Sequence, residues 1–568
     1  MSYQIKEVFN PSIINCLKHY SKKQFTTDLM AGVIVGIVAI PLAIAFGIAS
    51  GVGPTEGLIT AIIAGFIISA FGGTKVQIGG PTGAFIVIIY GIIQQFGTGG
   101  LIIATLMAGI MLVIMGLTKL GSIIKFVPYP VIVGFTGGIA LTIFSTQMND
   151  FFGMNLTGVP AGFIEKWGFY FSNLSSINWI AFAIGVVSLL IIIFTPKISK
   201  KVPGSLVSIV IMTLAVWLLK RYAGIEDIKT IGDIYELPTG VPAPILPELN
   251  LAEGETTWTV IRSLMPAAFT IAMLGAIESL LSAMVADGVI SDKHNSNTEL
   301  IAQGIANIVV PFFGGIPATG AIARTMTNIN NGGRTPIAGM IHAIVLLLVL
   351  LLMGPLVGLI PMPCLAAVLV MVAYNMSGWR TFVSLSKNPK SDFAVLMVTF
   401  VLTVIFDLTV AIEIGLLLAI VLFLKRTSES VNIRHFKNEI DPNQEMDIKI
   451  NNEEKLIIPQ GVDVYEIDGP YFFGIANKFD EIMSKIADKP KVRIIRMRRV
   501  PFMDSTGIHN LEILITQSNK ENIHVVLSGV NNTVRDSLEK AEFTKLLPEE
   551  NICANINLAI ERAKQLLY

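Results

Sequence analysis

The hydrophobic pattern of the chain separates a long apolar part from a polar tail. Between about residues 27 and 425, apolar runs follow one another, most of them near the roughly 20 residues that a membrane-spanning helix needs. After Lys425, charged residues become frequent, and short strand-like segments alternate with helical patterns. The pattern predicts an N-terminal segment over 1–26, a transmembrane domain over 27–425 and a small soluble domain over 426–568.

The apolar runs amount to about fourteen segments, some of them short enough to stop at mid-membrane. The first seven lie near 27–50, 54–73, 81–95, 100–119, 130–150, 177–195 and 203–221. The second seven lie near 259–289, 297–313, 317–331, 335–360, 363–378, 391–406 and 407–424. The tail has strand patterns at 462–468, 491–498 and 522–529 and helical patterns at 474–487, 505–518, 532–541 and 551–567. The predicted fold class is therefore an all-α polytopic membrane domain followed by a small α/β domain.

Charges at the span ends predict the orientation. Lysine and arginine cluster before the first span and after alternate later ones, which places the N- and C-termini in the cytoplasm. The loop over 222–257 has seven acidic residues and one lysine, so it suits the outer side. This loop divides the segments into two sets of seven, over about 27–222 and 258–425. Because seven is odd, the two repeats have opposite topology, an arrangement typical of transporters with the binding site at the repeat interface.

Two spans, one in each repeat, open with glycine and proline. The sequence GGPTGAF occupies 79–85 and follows the Phe-Gly-Gly of 71–73. The sequence GGIPATGAIA occupies 314–323 and begins within the Phe-Gly-Gly of 313–315. These residues interrupt a helix, so each opening is predicted to be extended, with the second becoming helical from about Thr319. Non-helical backbone at this depth is tolerated only where it is buried in protein or lines a cavity. A simpler interpretation is that the glycines only allow close helix packing.

A helix that begins inside the membrane is suited to bind an anion. Its first N–H groups lack intrahelical partners, and its start has about half a positive charge. Arg324 adds a permanent charge whose forked donors fit carboxylate or oxyanion oxygens. The sequence therefore predicts an anion site between the two openings, although Arg324 can alternatively extend to the cytoplasmic interface.

Glu278 lies near the middle of the eighth span and is the candidate for ion coupling. A charge at that depth costs about 3 kcal/mol or more, so an intramembrane acid is a functional candidate. It can bind a proton, or it can bind Na⁺ together with Ser282, one helical turn away, and Thr319. Two alternatives stay open: a neutral acid that hydrogen-bonds between helices, and a salt bridge with Arg324.

Four ordered stretches together resemble the SulP family, the sulfate-permease-type anion transporters that carry a C-terminal STAS domain. They are DLMAGVIVGIVAIPLAIAFGIASGVGPTEGL at 28–58, MLGAIESLL at 273–281, FGGIPATGAIART at 313–325 and DSTGI at 504–508. The resemblance implies a uracil-transporter-like fold with core and gate domains, a 7+7 inverted repeat with two half-helices, an elevator-like mechanism in the lipid bilayer, and a homodimer.

The resemblance also implies which residues bind the anion. They come from the first, third and tenth spans: Phe46, Thr82, Gly83, Ala84, Ala321, Ala323 and Arg324. Many family members have a polar residue where this chain has Leu42, after Pro41. In the tail, Ser505 matches the phosphate-accepting serine of the related anti-sigma-factor antagonists, which implies a regulatory role and a cytoplasmic regulator. Asp504 and Ser505 also suit a helix N-cap, the interpretation that we favour.

We therefore expect a secondary active transporter of the bacterial inner membrane. Its substrate is an inorganic oxyanion, sulfate or bicarbonate, or a dicarboxylate, coupled to H⁺ or Na⁺, with no cofactor. The alternatives are a passive anion channel or an anion exchanger on the same scaffold, and a nucleobase permease, for which acids rather than Arg324 are expected in the site. With 52% hydrophobic and 14% charged residues and zero net charge, the composition suits a membrane protein and does not indicate nucleic acid binding. The spans contain no nucleophile–base pair or metal cluster, which disfavours an enzyme.

Overall fold

The computed structural model describes most of the chain. It covers residues 9–18, 20–122, 127–160, 162–198, 203–236, 244, 257–387, 389–406, 408–440, 456–473 and 489–568. Two compact units are present, Met1–Ala419 and Ile420–Tyr568. The predicted tail helix over 474–487 and most of the predicted outer loop over 222–257 lie outside the described residues.

Apolar runs of the first repeat form helices where the pattern predicts them. The helices are α1 (Ser12–Leu17), α2 (Lys22–Ala49), α3 (Pro54–Phe71), α4 (Ile86–Leu117), α5 (Tyr129–Thr146), α6 (Met148–Phe151), α7 (Phe163–Ser172), α8 (Trp179–Ile198) and α9 (Gly204–Ala223). A two-residue strand, β1 (Gly79–Gly80), and a 3₁₀ turn, Gly83–Phe85, precede α4. Proline stands in the first turn of α3 and α5, where a backbone N–H has no intrahelical partner in any case, and Ser21 caps α2 by accepting from Gln24 N.

The second repeat has the same kind of elements. They are α10 (Thr257–Ile290), α11 (Ser296–Val309), the strand β2 (Thr319–Gly320), α12 (Ile322–Asn330), α13 (Pro336–Val357), α14 (Met362–Met376), α15 (Trp379–Leu385), α16 (Lys390–Ile405) and α17 (Leu408–Ser430). Within the described residues, nine helical segments are long and apolar enough to cross a membrane. One of these nine, over Gly83–Leu117, covers two predicted segments, and the other predicted segments are the helices α11, α12, α16 and α17.

One local expectation is confirmed, and two features differ from the prediction. Segments 81–95 and 100–119 are two helices that the label α4 covers together, because the backbone of Gly97 between them is not helical, with a φ of +66° and a ψ of −170°. The second opening becomes helical at Ile322 and not at Thr319, because the backbone of Thr319 pairs with β1 instead. The amphipathic helix α7 was not among the predicted spans.

Helices of the two repeats pack against each other throughout the membrane unit. Helix α13 packs against α2 and α3, α11 against α4, α16 against α5, and α14 against α8. Small residues allow close approach: a methyl group on Gly57 of α3 would collide with the carbonyl oxygen of Ala43 on α2. The buried Glu299 of α11 joins the repeats as well, since it accepts from Thr74 N at 3.0 Å and from Thr74 Oγ1 at 2.9 Å.

The second unit is a small α/β domain, as the tail pattern predicts. Its strands are β3 (Asn432–Phe436), β4 (Glu439–Ile440), β5 (Leu456–Ile457), β6 (Val462–Asp468), β7 (Val492–Arg499), β8 (His524–Ser528) and β9 (Ile552–Cys553), and its later helices are α18 (Ser505–Lys520), α19 (Asn532–Lys540) and α20 (Ile556–Leu567). The main sheet has the order β3-β6-β7-β8-β9, with β3 antiparallel and the other neighbours parallel. Neighbouring residues Ile494 and Ile495 enter separate apolar cores, as the alternation of a strand requires.

Candidate functional site

A short antiparallel pair of strands, β1 and β2, joins the two broken openings of the membrane unit, and we call this pair the crossing. Gly79 pairs with Gly320, and Gly80 pairs with Thr319, in antiparallel register. A methyl group on Gly80 would collide with the side chain of Arg324, and the φ of Gly80, +151°, favours glycine. The glycines therefore allow two strands that are distant in sequence to meet in a confined space.

Helix α12 begins beside the crossing without a side-chain cap. Its N-cap residue, Ala321, has no side-chain atom that accepts a hydrogen bond. The amide of Thr325 donates to Ala321 O at 2.9 Å, and the N–H groups before it belong to the first turn, which has no intrahelical acceptors. Because Ala321, Ile322, Ala323 and Arg324 line a cavity, this start presents donors and partial positive charge to the cavity.

The opening of α4 differs because it has a cap of its own. Thr82 is the N-cap of the 3₁₀ turn, and its hydroxyl accepts from Ala84 N at 3.5 Å. Phe46 lies against the same turn, since a methyl group on Gly83 would lie 3.5 Å from Phe46 Cε1. Phe46, Thr82 and Gly83 line the cavity, whereas Ala84 is buried and is not one of the described residues that line it.

Arg324 is buried between the two openings. Its side chain is 2% exposed, so it does not extend to the membrane interface, and that alternative interpretation is wrong. Nη2 donates to the carbonyl oxygen of Pro81, and Nη1 has no hydrogen-bond partner among the described residues. The guanidinium is therefore fixed to the first opening and still has donor capacity for another oxygen.

Glu278 of α10 lines the same cavity and is half-buried there. No ion pair of 4.0 Å or less joins Glu278 to Arg324 in the described part of the chain, so the salt bridge that the sequence leaves open as an alternative is not formed in this conformation. The two other residues of the predicted sodium set have protein partners: Ser282 Oγ donates to Thr325 Oγ1 at 3.2 Å, and Thr319 Oγ1 donates to Gly275 O at 2.8 Å. Both are buried outside the cavity lining, so the structure brings only Glu278 of this set to the cavity.

The cavity has a volume of about 990 Å³. Its lining includes the two openings and Glu278, together with mostly apolar residues of α8, α9 and α14. Sequence analysis did not identify the polar residues that also line it: Thr136, Ser205, Tyr374 and Asn375. They lie at isolated positions of helices without a motif, so only the packing of the helices brings them to the cavity.

In the second unit, Asp504 caps helix α18. Asp504 Oδ1 accepts from Gly507 N at 2.7 Å, and Oδ2 accepts from Phe473 N at 3.2 Å. Ser505 is the first helical residue and is exposed. The motif therefore fixes a helix start in this structure, with Asp504 in the cap position that the sequence allows for either residue.

Comparisons with known proteins agree with this architecture. A model described as the sulfate permease family matches residues 25–399, and a STAS domain model matches residues 455–559. The chain is 42% identical over 525 residues to a putative sulfate transporter, YvdB, of Bacillus subtilis, which covers 92% of this chain and 95% of the relative. It is 31% identical over 555 residues to the bicarbonate transporter BicA of Picosynechococcus sp., with 95% of each covered.

The fold is shared with a solved structure of lower sequence similarity. The inward-facing murine Slc26a9 anion transporter has a TM-score of 0.85 to this chain at 18% identity, covering 100% of this chain and 95% of the other. The expected membrane fold and the expected STAS domain are thereby confirmed. This chain belongs to the sulfate permease family and is a multi-pass membrane anion transporter with a C-terminal STAS domain.

Proposed function

We propose that this chain is a secondary active transporter that binds its anion between the starts of α4 and α12 and beside Arg324. The observation that carries the proposal is the uncapped start of α12 at the same cavity as a buried arginine whose Nη1 has no hydrogen-bond partner among the described residues. Each helix start contributes about half a positive charge, and the guanidinium contributes one more. A small anion with several oxygens offers an acceptor to each of these donors.

The proposed substrates are sulfate, bicarbonate or a dicarboxylate such as fumarate or succinate. The names of two relatives, a putative sulfate transporter and a bicarbonate transporter, support the inorganic oxyanions. The cavity of about 990 Å³ also has room for a dicarboxylate. All these substrates share the negative oxygens that the helix starts and Arg324 attract.

Glu278 is the proposed coupling residue. It lines the cavity with the anion donors, so its charge acts directly on the bound anion. Ionised Glu278 opposes an incoming anion, and a bound H⁺ or Na⁺ removes that opposition. Anion and cation therefore bind together, which is the requirement for symport.

An elevator-like movement is supported by the different character of two groups of lining residues. One group belongs to the openings, α10 and α12, and the other has apolar residues such as Leu189, Ile192 and Val368. Apolar contacts are not directional, so an apolar surface lets a neighbouring surface slide past it. The cavity reaches Pro196 and Ser205, on either side of a lysine-rich connection that the positive-inside rule assigns to the cytoplasm, so this conformation is proposed to face inward.

The proposal includes a homodimer in the plasma membrane, which the family resemblance implies, with both termini in the cytoplasm, which the distribution of lysine and arginine predicts. The deciding experiment is uptake into proteoliposomes of labelled sulfate, bicarbonate and fumarate, under separately imposed proton and sodium gradients. We expect accumulation of at least one anion that depends on one cation gradient and is lost in Arg324→Gln. Flux that follows membrane potential alone identifies a channel, and uptake that requires anion inside the vesicle identifies an exchanger. Absence of uptake of all three anions contradicts the proposed substrate class.

A further inference from the structure

The extended segment before α12 is held by two buried side chains of neighbouring helices. Ile316 N donates to Thr60 Oγ1 of α3 at 2.8 Å. The side-chain amide of Asn307, on α11, binds Ala318 twice. Ala318 N donates to Asn307 Oδ1 at 2.8 Å, and Ala318 O accepts from Asn307 Nδ2 at 2.8 Å. Pro317, between the two held residues, has no N–H that needs a partner.

The amide of Asn307 gives Ala318 what an adjacent strand gives to a residue of a sheet. A neighbouring strand offers one acceptor and one donor to the backbone, and this amide offers both. Its second N–H donates to Gln303 O at 2.8 Å, which fixes the amide to its own helix. All three hydrogen bonds agree with one orientation of the amide, since the reversed orientation would place its oxygen against two carbonyl oxygens.

The chain stays bonded from this segment to the start of α12. Thr319 and Gly320 pair with β1, and Ala321 N donates to Ile78 O at 2.9 Å. The N–H groups that follow belong to the first turn of α12, which has no intrahelical acceptors for them and lines the cavity. Extended backbone inside a membrane needs partners for its polar groups. The two side chains supply such partners and so help to fix where α12 begins.

We propose that Thr60 and Asn307 are positioning residues of the anion site, which hold segment 316–318 so that the start of α12 faces the cavity. Neither side chain is among the described residues that line the cavity, so each acts through the backbone that precedes Ala321. The inference rests on the proposed function, because the position of this helix start matters to transport only if an anion binds there.

Thr60→Val removes the acceptor for Ile316 N and keeps the shape of the side chain. Thr105→Val, on α4, is the matched control. Both threonines are buried, and their hydroxyls donate to the carbonyl oxygen four residues earlier, at 2.6 Å for Thr60 and 2.7 Å for Thr105. In the described part of the chain, only the hydroxyl of Thr60 also accepts a hydrogen bond from the second opening.

The measurement is uptake by the full-length chain in proteoliposomes, with whichever of labelled sulfate, bicarbonate and fumarate the unaltered chain accumulates. We expect Thr60→Val to raise KM about tenfold with little change in maximal rate, the effect of one misdirected hydrogen bond to an anion. Thr60→Ser keeps the hydroxyl and should keep most of the affinity. Thr105→Val should have the KM of the unaltered chain.

Asn307→Leu removes both hydrogen bonds to Ala318, and its effect on the backbone is measured by hydrogen exchange in the full-length chain. The matched control is Asn149→Leu. The amide of Asn149 binds the backbone of Leu156 by the same pair of bonds, at 3.0 and 3.2 Å, and is outside the lining of the cavity. We expect faster exchange over 316–324 in Asn307→Leu and in Thr60→Val, whereas in Asn149→Leu the change should stay near 149–156.

A purely structural role predicts a different pattern. The inference is overturned if Thr60→Val and Thr105→Val have the same KM, or if Thr60→Val lowers stability and maximal rate while KM is unchanged. Unchanged exchange over 316–324 in Thr60→Val also overturns it, and this variant decides alone if Asn307→Leu does not fold. If the unaltered chain takes up none of the three anions, the proposed function fails, and the exchange measurement still decides whether these side chains hold the helix start.

Discussion

At the scale of single residues, the cavity combines Arg324 and Glu278 without pairing them. Arg324 is bound to Pro81 O, and Glu278 lines the cavity without an ion pair to it in the described residues. Opposite charges that face one space but do not bind each other are both available to ligands. This arrangement suits a site where an anion and a cation bind together.

The role of Glu278 is tested by Glu278→Gln, which keeps the shape and removes the charge and the titration. We expect coupled uptake to be abolished while the protein stays folded, because the cation loses its binding group. The measurement is uptake against imposed proton and sodium gradients, with size-exclusion behaviour as the check on folding. Glu413→Gln, at an exposed position of α17, is the matched control. Unchanged uptake with the same pH and sodium dependence refutes the coupling role.

The forked geometry of Arg324 is tested by Arg324→Lys, which keeps the charge. A lysine has no planar fork and cannot bind Pro81 O and an anion in the same fixed geometry. We expect KM for the anion to rise at least about tenfold, the loss for one charge-assisted hydrogen bond. Arg380→Lys, at an exposed arginine beside Trp379, serves as the control and should transport normally. Full affinity in Arg324→Lys would show that only the charge matters.

At the scale of elements, the sequence predicts what local patterns determine. The apolar runs predict most helix positions, and glycine with proline predicts that two spans begin broken. The pairing of Gly79–Gly80 with Thr319–Gly320 was not predictable, because it joins segments far apart in sequence through two residues each. For the same reason the exact start of α12 at Ile322 and the lining residue Asn375 appeared only once the helices were packed.

The crossing is tested by Gly80→Ala. The added methyl group would collide with Arg324, and the φ of +151° is unfavourable for alanine. A strained backbone of this kind costs about 1–3 kcal/mol, so we expect a lower midpoint of thermal unfolding and loss of uptake. Gly91→Ala is the matched control, since no atom lies within 4 Å of the added methyl group in helix α4. The control should be neutral or more stable by about 0.5–1 kcal/mol. Equal behaviour of the two variants would contradict the packing of Arg324 against Gly80.

At the scale of the whole molecule, a membrane unit and a small α/β unit form one chain. The cavity and its charged residues all belong to the membrane unit. The α/β unit has its own sheet, apolar cores and capped helix, with Ser505 exposed at the start of α18. The proposed transport site therefore lies in the first unit, and for the second unit we expect a regulatory or structural contribution.

Ser505→Asp tests for a phosphorylation switch. A negative charge at the first residue of α18 is favourable by about 0.3–1 kcal/mol, so the variant should stay folded. Because Asp504 already explains the motif as a cap, we expect unchanged uptake and unchanged assembly mass. Proteoliposome uptake and light scattering measure the two properties, and Ser505→Ala provides the unmodified reference. A clear change in Ser505→Asp alone would establish the switch and contradict our preference.

The unequal capping of the two helix starts has a consequence for the proposed transport cycle. In this structure Thr82 supplies an oxygen to one helix start, and Pro81 supplies one to Arg324. If the site binds an anion as proposed, part of its positive charge is already solvated by the protein's own atoms before the anion arrives. Among the described residues of the two openings, Ala321 gives its helix start no side-chain cap, so an arriving anion displaces few internal hydrogen bonds there. Binding then requires little rearrangement of the protein.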